Sequence, residues 1–435
     1  MRWSRSTRFA FAGIALAALV PLAACGSSSS GSAGSSTPSA STDFSQHGPI
    51  TFARAKDNSG YAPKEVAAWN ATHPDEQVTL RDLPDSADQQ RQQIIQNAEI
   101  KSGDLSVVTT DVVWTAEFAA KGYIAQLPAD KFSMDGVLPA AAQTGMYFDK
   151  LYAVPGDSNG GLLYYRKDLL EAAGDEPPTT WAQLKKVCAD VKEKPGNVGL
   201  DCYGGQFDKY EGLTVNFAEA VDSAGGAIVD DAGQPTVNTS QAAQGLDFLT
   251  SSFKDGTIPK AAITWEEEQG RQAFQNGNLI FLRNWPYVYG LAGKSTGSKV
   301  AGKFGVAPLP GLAGPGVSSL GGLNFAVPTY AKNKGTALDF ITFLSSQDEQ
   351  KKRALASANP PTLESLYADP DMVKQYPYLP TLLQVIKTAR PRPQVVNYGD
   401  VTLAVQDSVY GALQGTTPSD QTLTALQSKL QTLVK

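Results

Sequence analysis

The chain has 435 residues, with 37 Lys plus Arg and 43 Asp plus Glu, so its formal net charge at neutral pH is −6. This length suits two or three domains, and the acidic balance argues against a nucleic-acid partner, which needs a basic surface. Only two histidines, His47 and His73, and three cysteines occur, which argues against a His-rich zinc site. We therefore expect neither a metal nor a cofactor.

The first 24 residues have the pattern of a signal peptide. Arginines at positions 2, 5 and 8 precede an apolar run over 9–19, which is too short to span a bilayer. Leu22-Ala-Ala-Cys25 follows and resembles the lipobox of bacterial lipoproteins, in which Cys25 becomes the lipid-modified first residue. The alternatives are an ordinary signal peptide with a chance cysteine, or an internal helix. Residues 26–42 are Gly/Ser-rich, carry no charge and predict a flexible tether.

From Pro49 onward, strand and helix patterns alternate, which predicts α/β lobes with largely parallel sheets. The predicted strands are 49–53, 105–109, 151–155, 162–165, 279–282, 304–308 and 324–328. The predicted helices are 63–70, 85–101, 115–121, 167–173, 181–192 with Thr180 as N-cap, 213–224, 241–254, 336–356 and 423–434. Ligands of such sheets bind at the carboxyl ends of strands. The loops to examine are therefore 110–111, 156–160, 284–287 and 321–324.

Two segments match sequence patterns of enzyme active sites. Residues 156–160, Gly-Asp-Ser-Asn-Gly, match the nucleophile elbow of serine hydrolases, but a strand is predicted next and no histidine follows His73. Three glutamates, 266–268, could supply the carboxylate pair of a glycosidase. Thr264 and Glu267 also fit a capping box, however, with Thr264 as N-cap and Glu267 at the third helical position. We expect no enzyme activity and keep an extracellular glycoside hydrolase as the alternative.

Aromatic and polar side chains after strands point to a sugar site, because sugars combine flat apolar faces with hydroxyl edges. Trp285 and Tyr287 follow the predicted strand 279–282, and could alternatively form a core cluster. Asp111 follows the strand 105–109, and could alternatively cap the next turn. Arg392 lies in the stiff segment Arg-Pro-Arg-Pro over 390–393, and could alternatively form a surface salt bridge.

Several stretches together resemble the extracellular solute-binding proteins of ABC sugar importers, of the maltose/trehalose-binding type. They are 107–123, 154–155, 161–169, 210–221, 274–277 with 283–287, 320–322, 326–328 and 337–350. The resemblance implies an α/β, two-lobed periplasmic-binding-protein-like fold with crossing strands and a sugar cleft between the lobes. The expected division is 43–155 plus 303–358 for lobe 1 and 156–302 plus 359–435 for lobe 2. The protein is expected to be a monomer that delivers sugar to membrane permease subunits, anchored outside the cell membrane through lipid on Cys25.

The resemblance also assigns ligand-binding roles to individual residues. The residues concerned are Asp111, Asn159, Glu267, Trp285 with Tyr287 beside it, Gly322, Leu323 and Arg392. Two departures matter: Leu323 stands where relatives often have an aromatic residue, and Asn159 where they often have Asp. These features resemble the trehalose-binding lipoproteins, so trehalose is favoured over maltose. Other α-glucosides, and a peptide or polyamine receptor, are the remaining alternatives.

Two cysteines remain once Cys25 is assigned to the lipid. Cys188 and Cys202 lie 14 residues apart in a chain predicted to work in an oxidising compartment, which predicts a disulfide. Two buried free thiols are the alternative.

Overall fold

A computed structural model of the protein describes residues 43–230, 232–294 and 296–434. The predicted signal peptide (1–24), Cys25 and the tether (26–42) lie outside these residues. Within them, no helix combines the length and the apolar character that crossing a bilayer requires.

Strands and helices alternate along most of the described chain. The strands are β1 (Ile50–Ala55), β2 (Val78–Leu83), β3 (Val107–Asp111), β4 (Met146–Tyr147), β5 (Lys150–Leu151), β6 (Ala153–Pro155), β7 (Asn159–Gly160), β8 (Leu162–Arg166), β9 (Asp201–Gly204), β10 (Leu279–Asn284), β11 (Phe304–Ala307), β12 (Leu320–Gly321) and β13 (Leu323–Ala326). The helices are α1 (Ala62–Thr72), α2 (Ala87–Glu99), α3 (Thr115–Ala120), α4 (Pro139–Thr144), α5 (Lys167–Ala173), α6 (Trp181–Glu193), α7 (Glu211–Ser223), α8 (Ser240–Asp255), α9 (Glu267–Gln275), α10 (Tyr287–Ala292), α11 (Lys334–Ser345), α12 (Gln347–Ser357), α13 (Pro370–Gln375), α14 (Leu379–Thr388), α15 (Tyr398–Leu413) and α16 (Ser419–Leu433).

Each of the two lobes is built around one sheet, which confirms the predicted two-lobed α/β fold. The first sheet has the order β2-β1-β3-β13-β6, and the second has the order β11-β8-β10-β9. β10 is buried along its whole length, as expected of a central strand covered on both faces. The prediction of largely parallel sheets was wrong, because β13 runs antiparallel to β3 and β6, and β8 runs antiparallel to β10 and β11.

The chain passes between the lobes through two short strands that pair with each other. β7 and β12 are antiparallel, with Gly160 opposite Leu320 and Asn159 opposite Gly321. β7 lies between β6 of the first sheet and β8 of the second, and β12 lies between β11 of the second and β13 of the first. These paired crossing strands place Asn159, Gly321 and Gly322 at the junction of the lobes.

Three local predictions need correction. The predicted helix over 336–356 is two helices, α11 and α12, because Ser346 adopts an extended backbone and its side chain accepts from the backbone N–H of Glu349. The capping box begins two residues later than predicted, with Glu266 as N-cap and Gln269 as its partner. β11 belongs to the second sheet, so the predicted lobe boundary at residue 303 comes too early. The other predicted boundaries stay predictions.

Cys188 of α6 and Cys202 of β9 form a disulfide, with their Cα atoms 5.5 Å apart. Both cysteines are buried in the core of the second lobe. The bond links a helix directly to an outer strand of the second sheet, as the cysteine spacing predicted.

Candidate functional site

A cleft of about 370 Å³ lies against the crossing strands and the ends of β3 and β10. All eight residues predicted to bind ligand line it: Asp111, Asn159, Glu267, Trp285, Tyr287, Gly322, Leu323 and Arg392. The rule that ligands bind at strand ends had selected the loops of six of them, and Glu267 and Arg392 lie outside those loops. The fold brings all eight together, although they are spread over more than half of the chain. Their roles in binding stay predictions.

Trp285 forms a rigid aromatic platform in this cleft. The guanidinium carbon of Arg283 lies 4.1 Å from the centre of the indole ring, a cation–π contact. Arg283 is buried and donates to both carboxylate oxygens of Glu219, at 2.7 and 2.5 Å, and to Gln206 at 2.8 Å. Because a buried arginine held by three hydrogen bonds lies against the indole, it restricts rotation of the ring away from the cleft.

Arg392 is buried and bonded to carboxylates of both lobes. Its Nη2 donates to Asp111 Oδ1 at 2.7 Å, and its Nη1 donates to Glu211 Oε1. The alternative of a surface salt bridge was wrong, since the Arg392 side chain is only 1% exposed. Asp111 also accepts from the backbone N–H of Val113 at 3.1 Å, so it caps the turn after β3 as well as facing the cleft.

Glu211 is a site residue that the sequence reasoning missed. It begins α7, lines the cleft, and accepts from Tyr398 and Thr402 in addition to Arg392. Burial raises the pKa of Glu211, against the Arg392 charge and with help from the nearby carboxylate of Asp111. β9 was not among the predicted strands, so the rule for strand ends could not select Glu211. The available signal was the stretch 210–221, which belongs to the family resemblance and contains Glu211.

Two neighbouring glutamates present carboxylates of different character at the start of α9. Glu267 accepts from Tyr210 Oη at 2.8 Å, and burial raises the pKa of its carboxyl. Glu268 accepts from Tyr287 Oη at 2.7 Å, and Arg271 donates to both of its carboxylate oxygens. Burial alone would raise the pKa of Glu268, but these hydrogen bonds and the Arg271 charge have the larger effect, so the pKa is lowered.

The segment 156–160 is a polar corner of the cleft and not a nucleophile elbow. A strand, β8, follows it where the elbow requires a helix. Asp157 accepts from the backbone N–H of Leu323 at 2.8 Å, and burial raises the pKa of Asp157 to about 6. Asn159 donates to Asp157 at 3.4 Å, while its own Oδ1 is buried and has no hydrogen-bond partner among the described residues.

Gly322 adopts a backbone conformation that favours glycine. Its φ is +128°, and a Cβ at this position would press on the carbonyl oxygen of Asp157. A side chain here would therefore push the segment around Asp157 away from β13.

Comparisons with known proteins fit this architecture. Residues 55–351 match the family of bacterial extracellular solute-binding proteins. A probable ABC transporter-binding protein of Deinococcus radiodurans is 35% identical over 88% of this chain and 92% of its own length. Maltose-bound MalE3 of T. maritima has a TM-score of 0.84 and 31% identity, over 88% of this chain and 99% of that chain. The GacH receptor of Streptomyces glaucescens, solved unliganded and with acarbose, has a TM-score of 0.80 and 25% identity, over 89% of this chain and 98% of that chain.

Proposed function

The chain belongs to the family of bacterial extracellular solute-binding proteins, and we propose that it captures an α-linked disaccharide outside the membrane and delivers it to an ABC permease. The observation that carries the proposal is the Trp285 platform, held by Arg283, in the same cleft as carboxylates and an amide oxygen. Lipid attached to Cys25 would keep the protein at the outer face of the membrane.

The cleft offers what a sugar requires. An indole face packs against the C–H face of a pyranose, while Asp111 and Glu267 accept from hydroxyls. Asn159 adds an amide to the cleft lining. Relatives with at least a quarter of their residues identical to this chain were solved with maltose and with acarbose bound. Both lines of support favour a carbohydrate over a peptide or a polyamine.

Among disaccharides we propose trehalose, with maltose and other α-glucosides as alternatives for the same mechanism. The cleft, at about 370 Å³, lies at the small end of the range for small-molecule sites, which favours a compact ligand. Leu323 at the cleft edge supplies no second stacking surface, and Asn159 supplies an amide where a carboxylate would bind more strongly. A bent, non-reducing disaccharide depends more on hydroxyl contacts than on a long stacking floor.

The experiment is calorimetry with trehalose, maltose and glucose on the protein and on two variants. Trp285→Ala and Asp111→Asn should each weaken disaccharide binding by about tenfold or more, since each removes about 1.4 kcal/mol or more of contact. Asp104→Asn is the matched control, because Asp104 is exposed and lies outside the cleft lining. Unchanged affinity in both cleft variants would refute the site, and a response to peptides or polyamines but to no sugar would refute the ligand class.

One observation favours the second candidate, a glycoside hydrolase. Burial and the neighbouring Glu267 charge raise the pKa of Glu266 to about 7, while the pKa of Glu268 is lowered, and pairs separated in this way suit acid and base roles. Arg271, however, donates hydrogen bonds to both carboxylate oxygens of Glu268, which leaves these oxygens poorly placed to act on a ligand. Prolonged incubation with each disaccharide decides between the two functions, since release of glucose requires the enzyme.

A further inference from the structure

A second polar cluster lies outside the cleft, where the chain enters the first lobe. It consists of His47, Glu76 and Asp339, and one donor atom from each lies within 4.8 Å of the other two. The three residues come from the segment before β1, the loop between α1 and β2, and α11. Their side chains are partly exposed, at 47%, 26% and 52%, so an ion could reach them from solvent.

The arrangement has more acceptors than one imidazole can satisfy. Nδ1 of His47 lies 3.1 Å from Glu76 Oε2 and 3.8 Å from Asp339 Oδ2. One ring nitrogen carries at most one proton, so it can donate well to only one of the two carboxylates. The other carboxylate then receives no hydrogen bond from this ring nitrogen, and its negative charge lies close to that of the first carboxylate.

A divalent cation in place of that proton would satisfy all three groups. Tetrahedral zinc with bonds of about 2.0–2.1 Å sets its ligand atoms about 3.3 Å apart. The distances from His47 Nδ1, 3.1 and 3.8 Å, are close to this value, and the two carboxylate oxygens lie within 4.8 Å of each other. Rotation of the exposed side chains would bring all three atoms to the ligand spacing. Two carboxylates and a neutral imidazole also balance the charge of a divalent ion.

The surroundings of the cluster hold two of its members in place. Thr336 Oγ1 donates to the same Glu76 oxygen, as outer partners of metal-bound carboxylates commonly do. Gly335, at the start of α11, leaves room for the His47 ring, because a Cβ there would come within 2.6 Å of Nε2. The backbone N–H of Gly335 donates to the carbonyl of Gln46 at 2.8 Å, which fastens the segment carrying His47 to the helix.

We propose that His47, Glu76 and Asp339 bind a divalent transition-metal ion, zinc being the reference case, and that this ion joins the segment before β1 to α11. An imidazole ligand selects zinc, nickel or copper over calcium and magnesium, which prefer oxygen ligands alone. The site is independent of the sugar cleft, so its occupancy needs no bound sugar.

The test is calorimetric titration of the untagged protein with Zn²⁺ in a buffer without chelating components. We expect one Zn²⁺ per chain, and an affinity lowered by at least about tenfold in His47→Ala and in Asp339→Asn. His73→Ala is the matched control, because it removes the other histidine of the chain, whose ring stacks on Trp69 and faces Trp69 O. It should bind Zn²⁺ as the wild type does.

Two results would overturn the proposal. One is the absence of Zn²⁺ binding to the wild type, and the other is equal Zn²⁺ affinity in the wild type and His47→Ala. Thermal unfolding measured on every variant confirms that each is folded. Sugar affinity measured alongside separates a failure of the metal site from a failure of the proposed sugar function.

Discussion

Replacing Arg392 with Met should destabilise the protein by about 3–5 kcal/mol, the usual result of removing one partner from a buried ion pair. The Arg392 and Glu211 side chains are 1% and 4% exposed, so water can replace the lost contacts only poorly. Methionine fills much of the same space, and the loss is therefore mainly that of charge and hydrogen bonds. Equilibrium unfolding in urea, followed by tryptophan fluorescence, measures the free energy directly.

The control is Lys387→Met, which removes an ion pair of 2.6 Å between side chains that are 42% and 45% exposed. That change should cost no more than about 1 kcal/mol, since exposed pairs contribute little. Adding Glu211→Gln to Arg392→Met should restore about 1–3 kcal/mol, because the amide keeps its acceptor oxygen without an unpaired charge. A loss below about 1 kcal/mol in Arg392→Met would refute this account of the site.

Three further predictions concern the fold around the cleft and the second lobe. Gly322→Ala should lower the free energy of unfolding by about 1–3 kcal/mol, because φ is positive there and the new Cβ would press on the Asp157 carbonyl. Thermal unfolding measures this loss, with Gly314→Ala as the control, since a Cβ at Gly314 would have no atom within 4 Å. The pKa of Asp157 is raised to about 6 in the folded protein, so between about pH 4 and 6 its carboxyl keeps a proton that the unfolded chain has already lost. The free energy of unfolding should therefore fall by up to about 3 kcal/mol as pH rises from about 4 to 6. Asp157→Asn should remove that share of the slope in unfolding measured across this range, and an unchanged slope contradicts the assignment. Cys188→Ser breaks the bond to Cys202 and should cost about 3 kcal/mol in urea unfolding, a loss that wild-type protein treated with reductant should reproduce.

The sequence was most informative where local patterns agree with the final packing. Helix α5 was predicted residue for residue, and α6 begins after Thr180 as its capping pattern indicated. Six of the eight predicted cleft residues lie in loops that were chosen for their places after strands, while the family resemblance assigned Glu267 and Arg392. Both routes use sequence alone and need no knowledge of how the lobes are oriented.

What the sequence could not give depends on long-range pairing. The antiparallel direction of β13 follows from its insertion between β3 and β6, which no local pattern encodes. The break at Ser346 was missed although Ser346 and Glu349 have the spacing of a capping box. The buried state of Arg392 depends on Glu211, far away in the chain. The cluster of His47, Glu76 and Asp339 had no signal in the sequence for the same reason, since its members are far apart in the chain and two histidines alone show no ligand spacing.

The order of strands in the first sheet has a consequence for how the protein is made. β13 is a central strand between β3 and β6, yet it is synthesised after the whole of the second sheet. A nascent chain that ends before Leu323 leaves the edge of β3 unpaired and gives β6 no neighbour, and unpaired edges invite aggregation. The first lobe can therefore complete its sheet only late in synthesis, so premature termination before this strand should yield fragments that depend on chaperones or are degraded.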